Sequence, residues 1–174
     1  MFKIIFFILF HLSGHGQCPV RGDGPKRLWH TDSLKNIQDC PDPLQAIESN
    51  IKDLMADKLG LGQFVYVDCF IVSAKLSGPE SCQCHSKNLD ALDYHIYVSD
   101  NPTALKKDCA IVEVSRYSRE YNPGLTFEYV KSLVGQSVKV YGYIFSDEEH
   151  KSAIGNWRSG IEEIHPVFYI QKNK

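Results

Sequence analysis

Between Gln63 and Gln171 the chain reads as three strands, a helix and two further strands, an order that few architectures accept. The segments Phe64–Leu76, Tyr94–Ser99 and 109–115 are rich in β-branched and aromatic residues, which suit a pleated surface. Thr126 offers a hydroxyl cap to the helix, Leu125 and Val130 take the two positions of a hydrophobic staple, and Gly135 supplies the stop. In 137–145, Val138, Val140, Gly142 and Ile144 alternate with Lys139, Tyr141, Tyr143 and Phe145. One face is therefore aliphatic and the other mostly aromatic, and Gly142 is placed for a bulge. A last strand covers 160–171. This is the order of the OB-fold: all-β with minor α, a five-stranded barrel with one helix between its third and fourth strands. Such barrels bind ligands on the face of the second and third strands, between the loops joining strands 1 to 2 and 4 to 5.

Residues 1–16 lie outside the barrel: Lys3, an apolar run from Ile4 to Leu12, then Ser13-Gly14-His15-Gly16. This is the pattern of a secretory signal peptide cleaved after Gly16, and it places the protein in the periplasm or outside the cell. The run is too short for the roughly 20 residues a spanning helix needs, and nothing later is longer, so no transmembrane helix is expected. Lipid anchoring at Cys18 is disfavoured, because His15-Gly16-Gln17 matches the lipoprotein pattern poorly. Lys3 is the one charged residue of the leader, so its removal makes the formal charge one unit more negative than the full chain's -2. That mildly acidic balance disfavours nucleic acid as a partner, and the expectation is a monomer.

The remaining chain reads as an extension, 17–62, and the barrel domain, 63–174. Asp42-Pro43-Leu44-Gln45 has the signature of a capped helix start. Leu44, Ile47, Ile51, Leu54, Met55 and Leu59 then follow one helical face up to Gly60, which predicts an amphipathic helix packed over an open end of the barrel.

The chemically distinctive residues fall in the two loops of the binding face. The first carries Glu80, Cys82, Cys84 and His85; the second carries Asp147-Glu148-Glu149-His150, Trp157 and Arg158. Gly78-Pro79-Glu80-Ser81-Cys82-Gln83-Cys84, Asp93-Tyr94-His95-Ile96, Val112-Glu113-Val114 and Glu163-Ile164-His165-Pro166-Val167 together resemble motifs of a group of uncharacterised bacterial secreted OB-fold proteins. The chain departs from that group in having Glu162 where a tryptophan is usual and Arg116 where a proline often follows. The resemblance implies the fold and names no reaction.

Cys82, Cys84, His85 and His95 offer four ligands of the kind zinc takes, but Cys-x-Cys lacks the second paired motif that fixes a tetrahedron. A local Cys82–Cys84 disulfide, or pairing of either elsewhere, is the favoured reading, and no cofactor is expected. Cys69 and Cys109 lie two strand spacings apart and are not expected to pair, whereas Cys18 and Cys40 share the extension and are the preferred bridge. For catalysis the candidates are Glu113, Glu163 and His165; the last two share a strand face, as acid–base partners or as a structural brace. Asp147, Glu148 and Glu149 read as a solvated acidic loop. Glu80, His95, Tyr97, Tyr141, Tyr143, Trp157 and Arg158 are the candidate ligand-binding residues, the aromatics as a stacking platform. The expected function is a secreted binding module for a glycan, peptide or oligonucleotide; the alternative is a metal-assisted phosphodiester hydrolase.

Overall fold

The computed structural model describes residues 18–173, so the proposed leader lies outside the described residues. Six strands form the sheet: β1 (Ile47–Ser49), β2 (Phe64–Leu76), β3 (Tyr94–Ser99), β4 (Ala110–Val114), β5 (Ser137–Ser146) and β6 (Glu162–Lys172). Their order is β1-β2-β3-β4-β6-β5, and β2 also pairs with β5, which closes the last five into a barrel. The β4–β6 pairing is parallel and the other barrel pairings are antiparallel, as the OB-fold order requires.

Alternation along each strand sets what the barrel holds. Val65, Val67, Ile71, Ile96, Val98, Val112, Val114, Val138, Val140, Ile144 and Ile164 point inward and form one core. The register of β5 against β6 shifts at Gly142, as the sequence anticipates. A Cβ at that position would run into the Pro166 carbonyl oxygen and the Ile164 side chain, so only glycine lets the two strands approach there.

Two helices, not one, join β4 to β5. Ser115 follows β4 and accepts a hydrogen bond from the Ser118 backbone N–H, which starts α3 (Arg116–Tyr121). The anticipated helix is α4 (Phe127–Ser132), with Thr126 accepting from the Tyr129 N–H and Val130 buried in the core.

The long helix expected from Asp42 is broken. Asp42 does cap a turn, Pro43–Gln45, but the chain then extends as β1 and pairs in parallel with Val65–Val67 of β2. The free edge of β2 offers hydrogen bonds that compete with helix propagation, and Asn50 then recaps a shorter helix, α2 (Ile51–Met55). Leu44 is consequently 92% exposed, whereas Ile51 and Leu54 plug the barrel end with Met55 and Leu59 packed behind them. A further helix, α1 (Trp29–Lys35), lies earlier in the extension.

The cysteine pairing also differs from expectation. Cys18 bridges to Cys84, not to Cys40, and Cys82 is a free, buried thiol. Cys69 and Cys109 are unpaired, in keeping with their separation. The extension folds back onto the first loop, and this sets Cys18 beside Cys84, with Cα atoms 5.7 Å apart. Among the described residues no helix is long and apolar enough to cross a membrane.

Candidate ligand site between the two barrel loops

The residues of β3 and β4 that do not enter the core face outward and make the site. His95 is paired across the sheet with Lys75 of β2 on one side and Glu113 of β4 on the other. Tyr97 lies opposite Ile111, which lies beside Glu163 of β6. The loops 77–93 and 147–161 rise on either side, and α1 closes the rear with Lys35. The result is a cleft of about 360 Å³ lined among others by Lys35, Glu80, His95, Glu113, Trp157 and Arg158. That volume is at the small end of ligand pockets.

The first loop is held from outside the barrel. Lys35 Nζ, buried on α1, donates to Glu80 Oε2 at 2.9 Å, and Ser81 Oγ donates to Asp32. Asn36 Nδ2 donates to the Cys82 carbonyl at 2.8 Å, and the Cys18–Cys84 bridge completes the attachment. Burial opposes the charge of Lys35, but Glu80 and Glu163 outweigh it and hold the ammonium protonated well above its usual range.

The second loop is pinned by Arg158, which is 3% exposed. Its guanidinium donates to Asp147 Oδ2 at 2.7 Å, to Glu163 Oε2 at 3.3 Å and to the carbonyls of Gly160 and Ile161. Asp147 is therefore not part of a solvated acidic loop; it is buried. Burial alone would raise its pKa, but the His150 hydrogen bond and the charges of Lys35, His150 and Arg158 hold it well below the usual carboxylate range.

Behind the cleft floor His165 is fully enclosed, 1% exposed. Its Nδ1 lies 3.1 Å from Glu163 and 3.6 Å from Glu113, and its Nε2 lies 3.5 Å from Asp93. The last gap is wide for a hydrogen bond, and neither atom has another partner, so charge attraction is what joins them. Burial disfavours the imidazolium, but Asp93, Glu163 and Glu113 more than offset this and raise its pKa to about 10. Its folded pKa thus exceeds the ordinary 6.5, so the stability this charge supplies is complete below about pH 6.5 and fades as pH rises toward 10. Histidine NMR at pH 8 should show His165 doubly protonated; a neutral ring there would contradict this electrostatic account. Asp93, Glu113 and His165 also bring ligand atoms within 4.8 Å of one another, the spacing a metal ion needs. A metal in that place would have to displace the His165 proton, because the imidazolium already serves as the cation among the carboxylates.

Of the residues anticipated from sequence, Glu80, His95, Tyr97, Trp157 and Arg158 line this cleft together with Glu113 and Glu163. His165 supports the floor without reaching the cleft. Tyr141 and Tyr143 do not belong to the site: they project from β5 on another flank of the barrel and pack with Phe64 and Phe168 under Ile37, Cys40 and Ala46. The extension needs an apolar surface to lie on, and these rings provide it. The four anticipated zinc ligands do not assemble, since Cys84 is consumed in the disulfide and His85 is exposed beside Asp23. Burial pushes the Cys82 thiol far up, which favours its neutral form over the thiolate a metal would take. Sequence reasoning missed Lys35, Asp147 and His150. The spacing of Asp147 and His150 with Arg158 in one loop was the available signal for two of them; nothing in the sequence brings Lys35 here.

No family model and no curated protein matches the chain. Among solved structures it is similar to a protein described as an aspartyl-tRNA synthetase from Leishmania major Friedlin, at 10% identity and a TM-score of 0.43. That alignment covers 78% of this chain and 22% of the other.

Proposed function

We propose that this is a secreted, monomeric OB-fold binding module whose cleft takes a small ligand bearing an anionic group next to a ring. The observation that carries the reading is the mouth of the cleft. Trp157 stands there 61% exposed, and Lys106 Nζ lies 4.9 Å from the Tyr97 ring centre and 6.0 Å from that of Trp157. Lys106 and Lys75 have no carboxylate partner among the described residues, in contrast to Lys35 and Arg158. A ring can stack on the aromatics while the two lysines meet one negative group. Two unpaired cations fit a single phosphate better than a long polyanion, in line with the acidic overall charge. Export is supported by the Cys18–Cys84 bridge, a linkage that persists in oxidising compartments.

Calorimetric titration with uridine monophosphate, with chitotriose as the neutral comparison, tests the reading. The nucleotide should bind and the sugar should not. Trp157→Ala should weaken binding by about tenfold, in line with about 1–3 kcal/mol per stacked base, and Lys106→Ala should weaken it through loss of a cation facing the anionic group. Nucleotide affinity unchanged in both variants, or no binding of the nucleotide at all, would contradict it. A second reading, phosphodiester cleavage, is favoured by the two imidazole–carboxylate pairs in the same cleft.

A further inference from the structure

Two imidazoles line one cleft, and each is tied through Nδ1 to a carboxylate with little exposure. His95 is 2.5 Å from Glu113 Oε1, and His150 is 2.7 Å from Asp147 Oδ2. Such a bond orients the ring and leaves Nε2 to exchange a proton with a ligand. The hydrogen bond that His150 donates to ionised Asp147 shifts His150 upward, toward its protonated form, despite partial burial. His150 is thus suited to donate a proton, and His95, the other imidazole oriented in the cleft, is placed to accept one.

The surrounding groups narrow the bond on which such a pair can act. A glycosidase needs two carboxylates at work on the sugar, whereas Glu113, Asp147 and Glu163 are each bonded to His95, His150 or Arg158. Acyl transfer through the enzyme needs an activated nucleophile. The hydroxyl of Ser77 donates to the Gly78 carbonyl, and no histidine is bonded to it. The nucleophile must therefore arrive with the substrate. Lys75, directly opposite His95 on the neighbouring strand, and Lys106 at the mouth can hold a phosphate beside that pair.

We infer that the cleft cleaves a phosphodiester with a neighbouring hydroxyl, as in short RNA, using His95 as general base and His150 as general acid. The inference rests on the anion-binding reading of the same cleft. The 2′-hydroxyl gives its proton to His95 Nε2 as its oxygen bonds to phosphorus. The bond from phosphorus to the 5′-oxygen breaks, and that oxygen takes the proton from His150 Nε2. A cyclic 2′,3′-phosphate and a free 5′-alcohol result; the two imidazoles then re-equilibrate with solvent, and no redox partner is consumed.

Uridylyl-(3′→5′)-adenosine incubated with the oxidised full-length mature protein in chelator tests this. Cyclic uridine phosphate and adenosine should appear. His95→Ala and His150→Ala, purified in the same way, should each lower kcat by about 100-fold or more with KM little changed. The 2′-deoxy analogue should bind in calorimetry and remain intact. If the analogue binds but the ribo compound is not cleaved, the acid–base assignment fails and the binding reading stands; if neither binds, both fail. Cleavage that disappears in chelator, or that is undiminished in both histidine variants, also overturns the inference.

Discussion

Arg158→Met should lower folding stability by about 3–5 kcal/mol, the cost of leaving buried charges without their partner. The guanidinium bonds to Asp147 and Glu163, which are 5% and 2% exposed, and it also ties the carbonyls of Gly160 and Ile161 to the start of β6. Removing it leaves two carboxylates short of a cation and frees the loop 147–161 that carries His150 and Trp157. Arg158→Lys should recover only part of the loss, because one ammonium cannot reproduce a fork that serves two carboxylates and two carbonyls. Urea titrations of the three proteins check this; a deficit under about 1 kcal/mol in the methionine variant would show that the pair contributes little to holding the loop.

Removing the Cys18–Cys84 bridge should cost about 4 kcal/mol. The linked residues are 66 apart in sequence, and closing a loop of that length removes much of the unfolded chain's freedom. Cys18→Ala together with Cys84→Ala is the suitable variant, since either cysteine left alone could pair with the free Cys82. The structural effect should concentrate where the bridge acts. Without it the first loop keeps the Lys35–Glu80 ion pair, the Asn36 bond to Cys82 and the Ser81 bond to Asp32, but loses its covalent tie to the extension. Denaturation of wild type with and without reductant, beside the double variant, measures the term. Coincident curves for all three would mean that the noncovalent contacts alone hold the extension in place.

What could be read from the sequence was the part that repeats locally. Alternation with period two set the aliphatic face of β5 apart from its aromatic face, Thr126 marked a helix start, and Gly142 marked the bulge, because each depends on neighbours in the chain. The same locality explains why Glu163 and His165 could be given one strand face, and once the OB order is known His95 and Glu113 fall on adjacent strands, where pairing sets them opposite each other. Other features were settled by competition between distant groups. The helix pattern after Asp42 gave way to β1 because the open edge of β2 supplied hydrogen bonds that no local pattern reveals. The aromatic face of β5 became the bed for residues 37–46 and not a ligand platform, because the extension had apolar surface to bury. Cys84 joined Cys18, Lys35 reached the cleft and Asp147 was withdrawn from solvent for one shared reason: the extension and the second loop fold onto the barrel, and only that packing decides which charges and thiols meet.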